Sequence, residues 1–223
     1  SSIRPKYLKP GDKIMLVAPA RFVLPATIQA AASAVLAAGF TPVIPPELDA
    51  RHHQFAGSDS HRASLLNSAF RDQSIRAVFA LRGGYGSGRL LPLLDSSAYK
   101  ADPTWIVGFS DITALHAWST NLGISSLHAP VASTLTSTSP ADVEAIWSNL
   151  RGECDFNPNV KVTGGNLSVL YSLLGTPYFP NVRGSFLFLE DIDEYLYHID
   201  RMFLAFKLAG VFVTAEGLIV GTF

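Results

Sequence analysis

The chain has 223 residues, with 17 basic against 18 acidic side chains for a formal net charge of −1 and only 16% charged residues, a balance that excludes an electrostatic footprint for nucleic acid or an anionic membrane surface. Its length suggests one large or two small domains, with core enough to fold without metal or disulfide staples. The lone cysteine, Cys154, rules out an internal disulfide and a Cys-based metal site, and no run reaches the ~18 apolar residues of a spanning helix despite a mean hydropathy of +0.25.

The start, Ser1-Ser2-Ile3-Arg4, carries no apolar signal segment, and its missing Met predicts a processed or trimmed terminus. A cytoplasmic, reducing setting is expected. Strand-length apolar runs then follow at Ile14–Ala18, Thr41–Ile44, Ala77–Leu81, Trp105–Phe109 and Ile124–His128. They read as continuous rather than alternating, the pattern of strands buried on both faces in a parallel sheet covered by helices. The intervening segments supply the helices: Pro25–Ala38 with Gly39 at its C′ stop, Asp59–Phe70, Gly88–Leu94 and Asp111–Asn121. The expected fold class is therefore α/β, with a doubly wound, flavodoxin- or Rossmann-like parallel sheet in an N-terminal domain over residues 1–150.

After His128 the pattern changes. Ser133–Pro140 is rich in Ser and Thr, Ala141–Leu150 reads as a helix, and Gly152–Val160 reads as a linker. A second, smaller α/β domain is expected over 151–223, with a helix at Asn166–Leu174 after Gly164-Gly165, a strand at Ser185–Leu189 and a helix at Glu194–Ala209 stopped by Gly210. The chain stops at Phe223, directly after the apolar run Gly217–Val220, so this domain is expected to be incomplete.

Chemistry concentrates at three strand ends. Leu81-Arg82-Gly83-Gly84-Tyr85-Gly86-Ser87-Gly88 is a glycine-rich turn where backbone N–H groups can approach an anion, but Arg89 stands where a dinucleotide fingerprint needs its third glycine. A bare strand-to-helix connection is the alternative reading. Gly108-Phe109-Ser110-Asp111 turns a strand directly into a helix, as a nucleophile elbow does, although Ile112 replaces the second glycine of G-x-S-x-G. Ser110 capping the helix is the competing reading there. In Leu189-Glu190-Asp191-Ile192-Asp193-Glu194, a solvated acidic turn competes with a carboxylate that orients a catalytic histidine, and Glu190 is best placed for that role because four apolar residues precede it. Of six histidines, His52, His53, His61, His116 and His198 read as surface or core residues, and only His128 ends a predicted strand near these turns. No H-E-x-x-H or comparable metal spacing occurs.

Together, Leu-Arg-Gly-Gly-Tyr-Gly (81–86), Gly-Phe-Ser-Asp (108–111), Gly-Gly-Asn-Leu (164–167) and Leu-Glu-Asp-Ile-Asp-Glu (189–194) resemble the LD-carboxypeptidase family. These are Ser-Glu-His serine peptidases that include the muramoyltetrapeptide carboxypeptidases of murein recycling and relatives giving immunity to microcin C. The resemblance runs from Lys9-Pro10-Gly11-Asp12 to the chain end. It implies Ser110 as nucleophile, Glu190 as the acid of the triad, an oxyanion hole from the Asp111 amide and a Gly83 or Gly84 amide, and substrate-pocket or supporting roles for Arg82, Tyr85 and Asn166. The family's catalytic histidine lies in a Gly-His segment well downstream of the Leu-Glu-Asp block, and these 223 residues contain no such segment. Either the chain continues or the base has been lost.

The implied activity is release of a terminal D-Ala from murein tetrapeptide, without cofactor or metal, by a homodimer whose partner is a small peptide rather than nucleic acid or membrane. Cleavage of a peptidyl-aminoacyl nucleotide is the alternative within the family. A non-catalytic module binding peptide carboxylates is the alternative of another class.

Overall fold

In the strand KIMLV, Ile14 and Leu16 point to one side and Met15 and Val17 to the other, and all four are buried. A period-2 element with both faces apolar needs a helical layer on each side. The computed structural model, which describes residues 2–154, 159–192 and 194–223, has that arrangement. β1 (Lys13–Val17), β2 (Thr41–Val43), β3 (Ile75–Ala80), β4 (Trp105–Gly108) and β5 (Leu127–His128) form a parallel sheet in the order β2-β1-β3-β4-β5. That is the flavodoxin-like doubly wound order, so the expected fold class holds.

One face of this sheet, through Ile14, Leu16, Phe79 and Val107, packs on α1 (Pro25–Ala37) and α5 (Pro140–Arg151). The other, through Val17, Val78 and Ile106, packs on α2 (Asp59–Arg71) and α4 (Thr113–Asn121). Each fully buried Leu, Ile or Phe in such a layer is worth about 1.5–3 kcal/mol, so the two apolar faces outweigh any single polar contact below. The helices begin and end where local chemistry dictates. The Ser58 side chain accepts a bond from the His61 N–H at 3.1 Å to cap α2, and Gly39 follows α1 at φ +92.

Two expected elements differ. Gly88–Leu94 is not an α-helix but a 3-10 segment over Ser87–Leu93, because Pro92 inside it has no N–H to give. The last strand of the sheet shrinks from Ile124–His128 to Leu127–His128. A short helix not foreseen, α3 (Ser96–Ala101), is capped by Asp95, whose carboxylate accepts the Ala98 N–H at 3.0 Å.

The second sheet is also parallel, in the order β6 (Val162–Asn166), β7 (Phe186–Glu190), β8 (Gly217–Val220). Leu187 and Leu189 of β7 pack on Leu167 and Leu170 of α6 (Leu167–Leu173) and on Met202 and Phe206 of α7 (Leu196–Leu208), with Val211 of α8 (Val211–Thr214) closing the core. β6 was not foreseen as a strand. Part of the expected linker, residues 155–158, and the candidate acid Asp193 lie outside the described residues. Among the described residues, no helix is long and apolar enough to cross a membrane.

Candidate active site

β4 delivers the chain to Ser110 and turns it. Phe109 is extended, Ser110 sits in the left-handed region at φ +59, and a 3-10 turn over Ser110–Ile112 runs straight into α4. A serine pays about 1 kcal/mol or more to hold that conformation, a cost that concentrates at functional sites. The capping alternative is not what the geometry contains, because Phe109 is the cap residue of the turn and no side chain caps it. Ile112 folds back over Gly108, where a Cβ would lie 2.9 Å from its side chain, so bulk at 112 requires the glycine at 108.

The glycine-rich turn leans on this elbow. A Cβ added to Gly83 would stand 3.4 Å from the Ser110 Cβ and 3.6 Å from its Oγ. Gly84 has φ +107 with the Arg21 side chain against it. The Asp111 N–H belongs to the first helical turn, which has no intrahelical acceptor for it. The glycine-rich turn and the start of the helical turn thus both lie beside Ser110. Arg82 is half-buried at the start of the turn, and among the described residues it forms no ion pair. Tyr85 is exposed, with its ring 5.9 Å from that of Phe55.

The acidic turn after β7 divides into distinct roles. Asp191 is buried and saturated: its carboxylate accepts from the Ile192 N–H at 2.8 Å, the Ser168 N–H at 2.9 Å, the Ser168 hydroxyl and Asn166 Nδ2 at 3.3 Å. Glu194 pairs with His198 and accepts from Ser168 Oγ. Among the described acids of this turn, Glu190 alone is buried with an oxygen, Oε1, that has no partner. Burial, and next the neighbouring Asp191 charge, push its carboxyl above the usual range, with a bond from Asn166 acting against them. An unpartnered buried acceptor is costly and needs a reason.

Asn166 faces Glu190 in register across β6 and β7. Its Oδ1 accepts the Val169 N–H at 3.1 Å to cap α6, its Nδ2 reaches Asp191, and its N–H donates to Thr113 Oγ1 at 3.0 Å. Thr113 opens α4, three residues after Ser110, so this bond ties the acid-bearing sheet to the elbow.

Among the described residues, no histidine hydrogen-bonds Ser110 or Glu190. His116 is buried under the elbow, with Nε2 against Gly108 O at 2.8 Å and Nδ1 against Ser126 Oγ at 2.6 Å, and burial lowers it to about 4. The neutral ring thus donates to the carbonyl that ends β4 and accepts from the serine. His128 is wedged among the rings of Phe109, His116 and Phe188. His128 and Phe188 also line a cleft of about 690 Å³ between β5 and β6, which Ser110 and Glu190 do not line.

Three contributors escaped the sequence reading: Thr113, His116 as a buttress, and Arg62, which is wholly buried in α2. Arg62 falls four residues before Leu66 on that helix's apolar face, and a lone cation on such a face is a readable signal.

Comparison with known proteins matches residues 14–129 to the LD-carboxypeptidase N-terminal domain and residues 160–223 to the LD-carboxypeptidase C-terminal domain. A probable murein peptide carboxypeptidase of Bacillus subtilis (strain 168) is 34% identical over 239 residues, covering 99% of this chain and 75% of the relative. Among solved structures, an MccF-like protein from Bacillus anthracis str. Ames superposes with a TM-score of 0.88 at 25% identity, over 99% of this chain and 80% of that one. A muramoyltetrapeptide carboxypeptidase from Oxalobacter formigenes superposes with a TM-score of 0.85 at 27% identity, over 95% and 77% of the two chains.

Proposed function

Because this chain belongs to the LD-carboxypeptidase family, we propose that it is a serine peptidase that removes the terminal D-amino acid from a murein tetrapeptide. The observation that carries the reading is Ser110, held in a left-handed conformation at the end of β4 with Gly83 against its side chain. Strain of that kind persists only where surrounding structure enforces it, which supports reading Ser110 as the residue of an elbow rather than as an ordinary turn serine.

In this mechanism Ser110 Oγ attacks the scissile carbonyl, and the resulting oxyanion is received by the Asp111 N–H and a Gly83 or Gly84 N–H. A histidine takes the serine proton and gives it to the leaving amine, then takes a proton from the water that hydrolyses the Ser110 ester and returns it to the serine as the shortened peptide leaves. Glu190, whose Oε1 is otherwise unpartnered, accepts that histidine's second N–H and fixes its tautomer. The resemblance places this histidine downstream of the Leu-Glu-Asp block. Arg82 and Tyr85, on the turn beside Ser110, are the proposed substrate contacts, with Asn166 supporting Glu190 from the opposite strand.

The murein peptide and muramoyltetrapeptide carboxypeptidases among its relatives support that substrate class. A second reading within the family resemblance is hydrolysis of a peptidyl-aminoacyl nucleotide, and the likeness to an MccF-like protein is compatible with it. Incubating the full-length protein with murein tetrapeptide, its all-L counterpart and a peptidyl-aminoacyl nucleotide separates the two. Free D-Ala from the first alone is expected. Equal cleavage of the D- and all-L-terminated peptides contradicts the stereochemical claim, and cleavage of the nucleotide alone moves the protein to the second reading.

A further inference from the structure

The peptide group between Gly86 and Ser87 is held at both ends by buried charges. Its carbonyl, Gly86 O, accepts from Arg62 Nη1 at 2.9 Å, and its N–H, on Ser87, donates to Asp111 Oδ2 at 2.9 Å. Arg62 has no exposed side-chain surface. It also donates to Pro19 O at 2.6 Å and to Gly57 O at 3.3 Å, pairs with Asp59, and lies over the Phe55 ring at 4.7 Å. The fit leaves no slack: a Cβ on Gly86, which has φ +138, would lie 2.9 Å from the guanidinium and from the Phe55 ring. From the other side, Ser87 Oγ donates to the Asp111 carbonyl at 2.6 Å.

The start of the turn is fixed too, since Leu81 donates to Val17 O at 2.9 Å and accepts from the Ser133 N–H at 2.9 Å. Between these two anchors stand Arg82, Gly83, Gly84 and Tyr85, with the Arg21 side chain against Gly84 and the Phe55 ring beside that of Tyr85. One anchor is the residue bonded covalently to Ser110. The end of the turn is therefore tied to the residue after Ser110 by the Asp111 carboxylate and the Ser87 hydroxyl, and to α2 by the Arg62 guanidinium. A buried Arg and Asp cost desolvation that apolar residues would not, so their presence calls for a use beyond stability.

We propose that Asp111 and Arg62 are positioning residues that clamp the Gly86–Ser87 peptide and thereby hold the Gly83–Gly84 amides at the oxyanion of the Ser110 reaction. This role rests on the serine-peptidase reading above. Asp111 acts through its carboxylate, separately from its backbone N–H. The carboxylate presents only acceptors to the Ser87 N–H, whereas an asparagine offers one neutral carbonyl oxygen and a donor NH2 group that repels that N–H in its other orientation. Loss of one preorganised oxyanion donor costs about 10²–10³ in kcat, so a displaced donor is expected to cost a substantial part of that range.

The test compares wild type, Asp111→Asn, Ser87→Ala and Arg62→Met as full-length proteins for D-Ala release from murein tetrapeptide, Ser110 labelling by a fluorophosphonate, and melting temperature. Ser87→Ala deletes one hydroxyl and keeps the clamp's N–H, so it serves as the mild variant if Asp111→Asn or Arg62→Met fails to fold. The expected result is a fall in kcat of at least tenfold in Asp111→Asn and Arg62→Met and of several fold in Ser87→Ala, with KM within about threefold of wild type and labelling slowed in parallel. Unchanged kcat per folded molecule in the variants, with wild type active, overturns the clamp and leaves the peptidase reading standing. A wild type that neither releases D-Ala nor takes up the label at Ser110 overturns both.

Discussion

Thr113 and Asn166 meet through one hydrogen bond, Asn166 N–H to Thr113 Oγ1 at 3.0 Å, and that contact joins the element bearing Ser110 to the sheet bearing Glu190. The approach is close enough that a Cβ on the adjacent Gly165, at φ +137, would lie 2.5 Å from the same oxygen. Glycine fits there because the Thr113 side chain at the helix start lies against the strand's backbone.

Thr113→Val keeps the shape and removes the acceptor, leaving the buried Asn166 N–H unpaired. The expected cost is about 1–3 kcal/mol of stability, together with a drop in kcat because the acid-bearing strand loses its tie to the elbow. Denaturant melts and turnover on the same preparations check both. A variant as stable and as active as wild type would remove this bond from the account.

Ser110→Gly and Ser110→Ala should both abolish turnover but separate in stability. Glycine relieves the φ +59 conformation, so Ser110→Gly is expected to gain about 1 kcal/mol over Ser110→Ala. If Ser110 served as a helix cap, alanine would instead cost about 1 kcal/mol relative to wild type and glycine only a few tenths. Thermal melts of the three proteins distinguish these outcomes.

Glu190 has its carboxyl pushed up by burial and then by Asp191. A carboxyl with a folded-state pKa above its unfolded value contributes stability that is present at low pH and lost as pH rises through the folded value. Glu190→Gln removes that titration. The variant should therefore gain stability relative to wild type as pH climbs from about 4 toward neutrality, while losing activity. A pH series of melting temperatures for the two proteins tests this, and a difference independent of pH would contradict it.

His116 runs the other way. Burial lowers it to about 4 from an ordinary value near 6.5, so its contribution is complete above pH 6.5 and is lost as pH falls toward 4. The loss over that window is about 3 kcal/mol. His116→Gln, measured against wild type across the same range, should flatten this part of the acid dependence. Equal slopes for the two proteins would place the acid sensitivity elsewhere.

Much of this architecture is readable from apolar runs. Ile14–Val17, Ala77–Ala80 and Trp105–Val107 are apolar at almost every position because both faces are covered, and that pattern predicts a parallel sheet directly. β6 is not readable. Its sequence, VTGGN, is glycine-rich because Gly164 and Gly165 lie tight against the backbone of β7 and against Thr113, and those partners are remote in sequence. The sign of φ at Ser110 is equally hidden, so an elbow and a cap look alike until the backbone is traced. Glu190 shows the converse: four preceding apolar residues mark it as buried. What singles it out from Asp191 is an unpartnered oxygen, which belongs to three-dimensional packing alone.

The most direct test of the central claim is the rate of D-Ala release from murein tetrapeptide by wild type and Ser110→Ala, run on full-length samples with matching melting curves. Wild type should release D-Ala, and the variant should lose at least about a thousandfold in kcat, since removing the nucleophile leaves only residual oxyanion and binding effects. Turnover by Ser110→Ala at the wild-type rate would contradict the account.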